Sequence, residues 1–198
     1  MASEITRRTP SQARSEARID RILDAASAII ARDGYEAATL TAVAAYAKTS
    51  IGSLYQYFPD KPAIAVELAR RHGVEIADRW EACMADVTAE TLSTDFIARM
   101  VTMATDFMHE RPAYLPLATD MPGYRHDEAD RHRLRVCIEA AVLMRWPVYG
   151  DTRATLIAET TVGIIRALGV SLRRGPEARR SSLIAEYKGV LTAYYGTL

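Results

Sequence analysis

The sequence predicts an all-α fold of about nine helices, a three-helix N-terminal cluster followed by a larger helical domain. Two observations lead there. Apolar residues recur at helical spacing in segment after segment, and no stretch alternates with the period of two that marks a strand. The breaks between segments also carry helix punctuation, with Thr, Ser or Asp before a start and Gly or Pro after an end.

The first helix is expected over 10–32. Thr9 can cap it, Pro10 suits its first position, and Gln12 can reach back in a capping box. Ile19, Ile22, Leu23, Ala26 and Ile30 then make one apolar stripe. Gly34 suits the left-handed residue that ends such a helix, and Tyr35 can fold back on its last turn. Thr39 caps a short helix over 40–47 whose inner face is Val43, Ala44 and Ala47. After a break at Lys48 and Thr49, Ser50 caps a second short helix over 51–58, with Leu54 and Phe58 on one side. Pro59 and Asp60 stop it, and Asp60 can cap the next helix from Lys61 and Pro62. Isolated helices under ~12 residues are marginal in water, so these two must pack on the first helix and on each other.

Long helices follow. Residues 63–90 carry Ile64, Leu68, Ile76, Trp80 and Met84; 94–109 carry Phe96, Ile97, Met100, Val101, Met103, Ala104 and Phe107. Pro112 and Pro116 bracket a short element, and Met121-Pro122-Gly123 reads as a loop. A charged run over 124–135 leads into Leu134, Cys137, Ile138, Ala141 and Val142. Beyond a break at 147–151 come 152–172, with Ile157, Thr160, Thr161, Ile164, Ile165, Leu168 and Leu172. Gly175-Pro176 ends that helix, and 177–195 carry Leu183, Ile184, Tyr187, Val190, Leu191 and Tyr194. The expected organisation is a flexible basic arm over 1–9, a helical cluster over 10–62 and a larger domain over 63–198.

Composition narrows the function. The chain has 198 residues, 49% hydrophobic and 25% charged, which is ordinary for a folded domain. Lys plus Arg equals Asp plus Glu at 25 each, which argues against coating nucleic acid through bulk charge. A site-specific binder needs only a local basic footprint, and Arg7, Arg8, Arg14, Arg18 and Arg21 crowd the first segment, partly offset by Glu4, Glu16, Asp20 and Asp24. No uncharged apolar run approaches the ~20 residues of a membrane span, and the first residues show no secretion signal. Cys83 and Cys137 sit in apolar helical patterns and read as packing residues in a reducing cytosol. A cytoplasmic protein with no membrane partner is expected.

The pair of short helices over 39–58 has the make-up of a helix-turn-helix. Small Ala44 and Ala47 let the second helix cross closely, while Leu54 and Phe58 anchor it from beneath. That leaves Thr49, Ser50, Ile51, Ser53, Tyr55, Gln56 and Tyr57 for outward and flanking positions. Hydroxyls and an amide suit phosphate oxygens and base edges, and Ile51 suits a thymine methyl. Gly52 admits close approach to a DNA backbone, and Lys61 adds charge at the next helix N-terminus.

The string Ser50-x-Gly52-Ser53-Leu54-Tyr55-x-Tyr57-Phe58-x-x-Lys61, preceded by Thr39-Leu40-Thr41-Ala42-Val43-Ala44 and by Gly34-Tyr35-Glu36-Ala37-Ala38, resembles the signature of the tetracycline-repressor (TetR) family. The resemblance covers about the first third of the chain. It implies a homodimeric regulator of nine or ten helices. The first three bind operator DNA, a fourth links to a ligand domain, and the last two form a four-helix dimer interface. By position it places Thr49, Ser50, Ile51, Gly52, Ser53 and Gln56 at or near the groove, and Tyr55, Tyr57 and Lys61 on phosphates. With Thr39 and Lys48 these are the candidate DNA-binding residues. Two departures stand out: Lys48 occupies the turn position where relatives usually have Gly, and Thr49 one that is usually apolar. A left-handed Lys48 would carry ~1–2 kcal/mol of strain.

For the larger domain, Ile157, Thr161, Ile165, Leu183, Ile184, Tyr187, Val190, Leu191 and Tyr194 are the expected dimer interface. Small Ala154, Ala158, Gly163, Ala167 and Gly169 would permit close helix approach. Trp80, Met84, Phe96, Met100, Met103, Phe107, Tyr114 and Met144, with Thr160, are candidates to line a pocket for a small hydrophobic or aromatic effector. Such an effector would release a repressor by favouring one of two conformations. No cofactor is expected. The rival readings are an enzyme and a helical ligand-binding module without a DNA role. Against the first, His72, His109, His126 and His132 lack metal-ligand spacing, and there is no phosphate loop or nucleophile elbow. Lys48 keeps the second open.

Overall fold

The structure, a computed structural model, describes residues 10–91, 93–122 and 128–198, with side chains from 14 in the first stretch and from 132 in the last. The expected basic arm over 1–9, the caps at Thr9 and Gln12, and the first half of the charged run lie outside the described backbone or side chains. Among the described residues there are nine α-helices and no strand. They are α1 (Pro10–Asp33), α2 (Leu40–Tyr46), α3 (Ile51–Tyr55), α4 (Lys61–Met84), α5 (Ser93–Glu110), α6 (Tyr114–Asp120), α7 (Glu128–Arg145), α8 (Asp151–Arg174) and α9 (Arg180–Tyr195). Single 3-10 turns at Tyr35–Ala37 and Glu177–Arg179 precede α2 and α9.

The chain divides into two compact units, Met1–Leu68 and Ala69–Leu198, and the division falls inside α4. The first unit buries Ile22, Leu23, Ala26 and Ile30 of α1 together with Val43, Ala44, Leu54 and Phe58. Gly34 ends α1, with its N–H bonded to Ile30 O at 3.0 Å. Its φ of 87° is positive as expected, but ψ is 170°, so it occupies the extended glycine region rather than the left-handed helical one.

In the second unit α8 packs on α5, α6, α7 and α9. Its length and composition would suffice to cross a bilayer, yet Ala154, Ile157, Ala158, Thr161, Leu168 and Gly169 are buried in the unit's core. A Cβ on Gly169 would stand 3.0 Å from both Leu115 Cδ2 and Met108 Cε, so the glycine allows α8 its close approach there. Trp80, Phe96, Met100, Phe107 and Ile138 complete the same core. Each such side chain contributes about 1.5–3 kcal/mol by leaving water.

Several boundaries differ from expectation, among them the start of α9, which begins at Arg180 after a 3-10 turn. Helix α4 stops at Met84, although Val87 beyond it is still buried. Helix α3 stops at Tyr55, because Pro59 disfavours the helical conformation at Phe58 and the chain tightens before it. Pro116 lies inside α6 rather than beside it, in the first turn, where a missing N–H breaks no intrahelical bond.

Candidate nucleic-acid interface

The candidate interface is built from three local capping events. Thr39 Oγ1 accepts from the Ala42 N–H at 3.2 Å and starts α2. Ser50 Oγ accepts from the Ser53 N–H at 3.1 Å and starts α3. Asp60 Oδ1 accepts from the Ala63 N–H at 2.8 Å and starts α4. Each leaves an orphan donor satisfied, as a cap should.

Between α2 and α3 the backbone makes a nested pair of bonds. The Thr49 N–H reaches Ala44 O at 3.0 Å and the Lys48 N–H reaches Ala45 O at 3.2 Å. This is the Schellman arrangement, and its left-handed residue is Lys48, with φ 51°. Among the described residues it is the one non-glycine with positive φ. The strain foreseen from its position is therefore present.

Leu54 and Phe58 are buried beneath α3, with Val43 and Ala44 of α2. The opposite side of α3 is open. Ile51 is 41% and Tyr55 56% exposed, and Ser50, Gly52 and Gln56 are exposed with them, as is Lys48 in the turn. Ser53 and Thr49 are half-buried. Among the described residues nothing lies within 4 Å of where a Cβ on Gly52 would stand. Glycine in a helix costs about 1 kcal/mol against alanine, so its own unit gains nothing from this one. Ser50 donates its hydroxyl to Ser53 Oγ at 2.9 Å, which leaves the Ser53 proton to donate outward. Thr39 is exposed, but its oxygen is engaged as a cap.

The two residues expected on phosphates at the edges are engaged within the unit. Lys61 Nζ lies 2.7 Å from Glu36 Oε2 and 4.2 Å from the centroid of the Tyr35 ring. The Tyr57 hydroxyl lies 3.2 Å from Ser15 Oγ on α1. That bond, aided by the charge of Arg18, holds the phenol below its ordinary range. Arg14, Arg18 and Arg21 are exposed along α1. Sequence reasoning missed the Ser15, Glu36 and Tyr35 partnerships, which join residues 25 to 42 positions apart where hydrogen-bonded. It also passed over Tyr46, an exposed aromatic on α2 whose spacing from Val43, Ala44 and Ala47 puts it off the inner face.

In the second unit the expected effector residues separate. Trp80, Met84, Phe96, Met100 and Phe107 are buried in one cluster, and Met103 and Tyr114 pack half-buried against it. Met144 is 53% exposed, and Thr160 is exposed with its hydroxyl donated to Leu156 O at 2.7 Å. Neither of these two faces the cluster.

The expected dimer residues need a similar correction. Ile157, Thr161, Ile165 and Leu191 are buried inside the protomer, at most 7% exposed, and pack its own core. Thr161 donates to Ile157 O at 2.8 Å and so accepts from the Tyr195 hydroxyl, also at 2.8 Å. Burial raises the Tyr195 phenol well above its usual range. Leu183, Ile184, Tyr187 and Tyr194 are half-buried, and Val190 is exposed. Ala154, Ala158 and Gly169 likewise serve internal packing. The outward stripe of α8 is instead Leu156, Thr160, Gly163 and Ala167, and that of α9 is Glu186, Val190 and Ala193.

Residues 22–74 match the family described as bacterial regulatory proteins, tetR family, and residues 94–194 match the tetracyclin repressor-like C-terminal domain. The chain belongs to the TetR family. It is 46% identical over 61 residues to the HTH-type transcriptional repressor KstR of Mycolicibacterium smegmatis, covering 31% of this chain and 29% of that protein. The KstR of Mycobacterium tuberculosis is also 46% identical over 61 residues, covering 31% of this chain and 27% of that one. The chain thus matches less than a third of the length of these curated relatives.

Likeness to solved structures spans nearly the whole chain. A TetR-family regulator from Pectobacterium atrosepticum superposes with TM-score 0.71 at 17% identity, covering 94% of this chain and 95% of that one. One from Streptomyces coelicolor gives 0.61 at 25% identity, covering 93% and 98%. FadR from Bacillus subtilis, solved in complex with stearoyl-CoA, gives 0.63 at 16% identity, covering 87% and 95%. The first and last of these speak to the fold alone. The TetR-family N-terminal match takes in every candidate DNA-binding residue from Thr39 to Lys61.

Proposed function

We propose that the chain is a sequence-specific DNA-binding transcriptional regulator, a homodimeric repressor released from its operator by a small-molecule effector. The observation that carries this is the open side of α3. A serine-capped helix stands on buried Leu54 and Phe58 and turns Ile51, Gly52, Tyr55 and Gln56 to solvent. Gln56 is suited to an adenine edge and Ile51 to a thymine methyl, while Lys48, Ser53, Tyr55, Tyr57 and Lys61 serve phosphates. Selection from a random DNA pool should yield a palindromic site, with half-sites set by two recognition helices about one helical turn apart. Recovery of unrelated sequences, bound with no more than non-specific affinity, would remove the proposal.

The dimer reading rests on the outward stripes of α8 and α9. Leu156 and Val190 stand exposed there beside Gly163 and Ala167, which leave room for a close helix crossing. Sedimentation of a monomer alone at micromolar concentration would contradict it. The effector is proposed to bind within the second unit. The aromatic and methionine cluster there supports a hydrophobic or aromatic molecule, and the stearoyl-CoA held by FadR supports a ligand role for this fold. Helix α4 contributes residues to both units, which supports its role as the coupling element. Such a regulator works in the cytoplasm, where the DNA is.

A further inference from the structure

His72, on α4 within the second unit, is 6% exposed, and its Nδ1 has no hydrogen-bond partner among the described residues. Its ring stands edge-on to Phe107, with centroids 6.4 Å apart, and to Tyr114, with centroids 6.0 Å apart. Those two rings meet each other edge-on at 5.0 Å. The charged groups that act on the imidazole are Glu75 and Arg111, and both are engaged elsewhere. Glu75 Oε2 accepts from Arg111 Nε at 2.8 Å, and Glu75 Oε1 accepts from Arg79 at 2.7 Å. Arg79 extends the network to Glu110 at 2.6 Å. A buried nitrogen left unpaired among aromatic rings destabilises the fold, and buried polar atoms are seldom left so. A leucine would fill similar space without that cost.

We propose that His72 is the polar anchor of the effector site, flanked by Phe107 and Tyr114, and that the effector is a neutral, flat, largely apolar molecule carrying one hydroxyl or carbonyl group. This rests on the reading of the second unit as an effector domain and gives that effector a chemistry. Burial pushes the imidazole down to about 4 and the Tyr114 phenol up to about 12, so both are neutral at neutral pH. A neutral imidazole offers one N–H and one lone pair, which suits a hydroxyl or a ketone. It cannot balance a carboxylate, and the charge of Arg111 is already answered by Glu75.

The test uses the full chain and three matched probes: 2-naphthol, 2-acetylnaphthalene and 2-naphthoate. Binding is followed by melting temperature and by the 15N shift of the His72 ring. A neutral probe should bind about tenfold or more tightly than the carboxylate and move the His72 resonance. His72→Leu should raise the melting temperature of the free protein by about 2–4 °C while weakening the neutral probe about tenfold. His72→Gln, which keeps a donor and an acceptor, should recover part of that affinity. A lower melting temperature in His72→Leu would make the histidine structural and overturn the proposal. So would undiminished probe binding in that variant, a preference for naphthoate, or no binding of either neutral probe. Operator binding by the unliganded wild type, measured alongside, keeps the two readings apart. If it persists while the probes fail, only the effector chemistry falls; if it is absent, the regulator reading falls.

Discussion

Replacing Lys48 by glycine separates strain from contact at the turn. Lys48 holds φ 51° in a Schellman turn whose two backbone bonds need no side chain. An L-residue held left-handed costs ~1–2 kcal/mol, and a glycine gives back roughly 0.4–1 kcal/mol through greater freedom in the unfolded chain. The net gain expected from Lys48→Gly is therefore about 0.8 kcal/mol, or about 3–6 °C in the melting of a unit this small. The same change removes an exposed ammonium beside α3, the proposed recognition helix. If that ammonium neutralises a phosphate in the complex, the slope of log affinity against log salt should shrink by about 0.9 per protomer. Calorimetry of the free protein and operator titration at several salt concentrations read the two effects independently. Lys48→Val, β-branched in the same conformation, should move stability the other way. A glycine variant no more stable than wild type would refute the strain argument, and an unchanged salt slope would remove Lys48 from the phosphate contacts.

Gly34→Ala should cost about 1–3 kcal/mol in urea denaturation, because the residue sits in a glycine region while no described residue crowds its would-be Cβ. Unaltered stability would mean the turn relaxes freely. For His72 the folded pKa of about 4 lies below the ordinary 6.5, so the unfolded chain binds the extra proton as pH drops. His72 therefore costs the fold least above pH 6.5, and stability falls by about 3 kcal/mol as pH drops towards 4. Urea titrations at neutral pH and at pH 4 should show that difference in wild type and lose it in His72→Leu. Leu156→Glu with Val190→Glu should weaken dimerisation by a factor on the order of a hundred or more in sedimentation, through charges buried without partners. Thr161→Val should instead lower stability by about 1–3 kcal/mol, because the Tyr195 hydroxyl loses its partner, and leave the dimer intact. Dissociation by the valine variant would return Thr161 to the interface.

The first unit was legible because its decisive interactions are local. Thr39, Ser50 and Asp60 each cap the backbone three residues on, so residue type and spacing nearly determine the outcome. The left-handed Lys48 was legible from its place in the turn. The outward stripe on α8 was not, for a physical reason. Periodicity says that a helix has an apolar face, but not which neighbours cover it. On α8 the most apolar face, Ile157, Thr161, Ile165 and Leu168, was covered by its own unit, and the smaller, more polar face was left outward. Met144 escaped for the same reason: a methionine beside a core stripe faces in or out according to packing between α7 and elements far away in sequence.

The engagement of Tyr57 and Lys61 bears on how the proposed interface would meet DNA. Both belong to the proposed phosphate-facing set, and both already hold partners within their own unit. These contacts do not oppose a phosphate role. Glu36 is 81% exposed, and an ion pair so open to water contributes at most about 1 kcal/mol. A phosphate can therefore replace Glu36 at small cost while the Lys61 ammonium keeps its place over the Tyr35 ring. Tyr57 meets Ser15 through hydroxyls, and whichever of the two accepts in that bond keeps its own hydrogen to donate to a phosphate. In the free protein the two contacts hold these side chains near the edges of α3, so less rotamer freedom is lost when DNA arrives. On the proposed reading, the specificity of the surface would rest on α3 and the Lys48 turn, with its edges as preset supports.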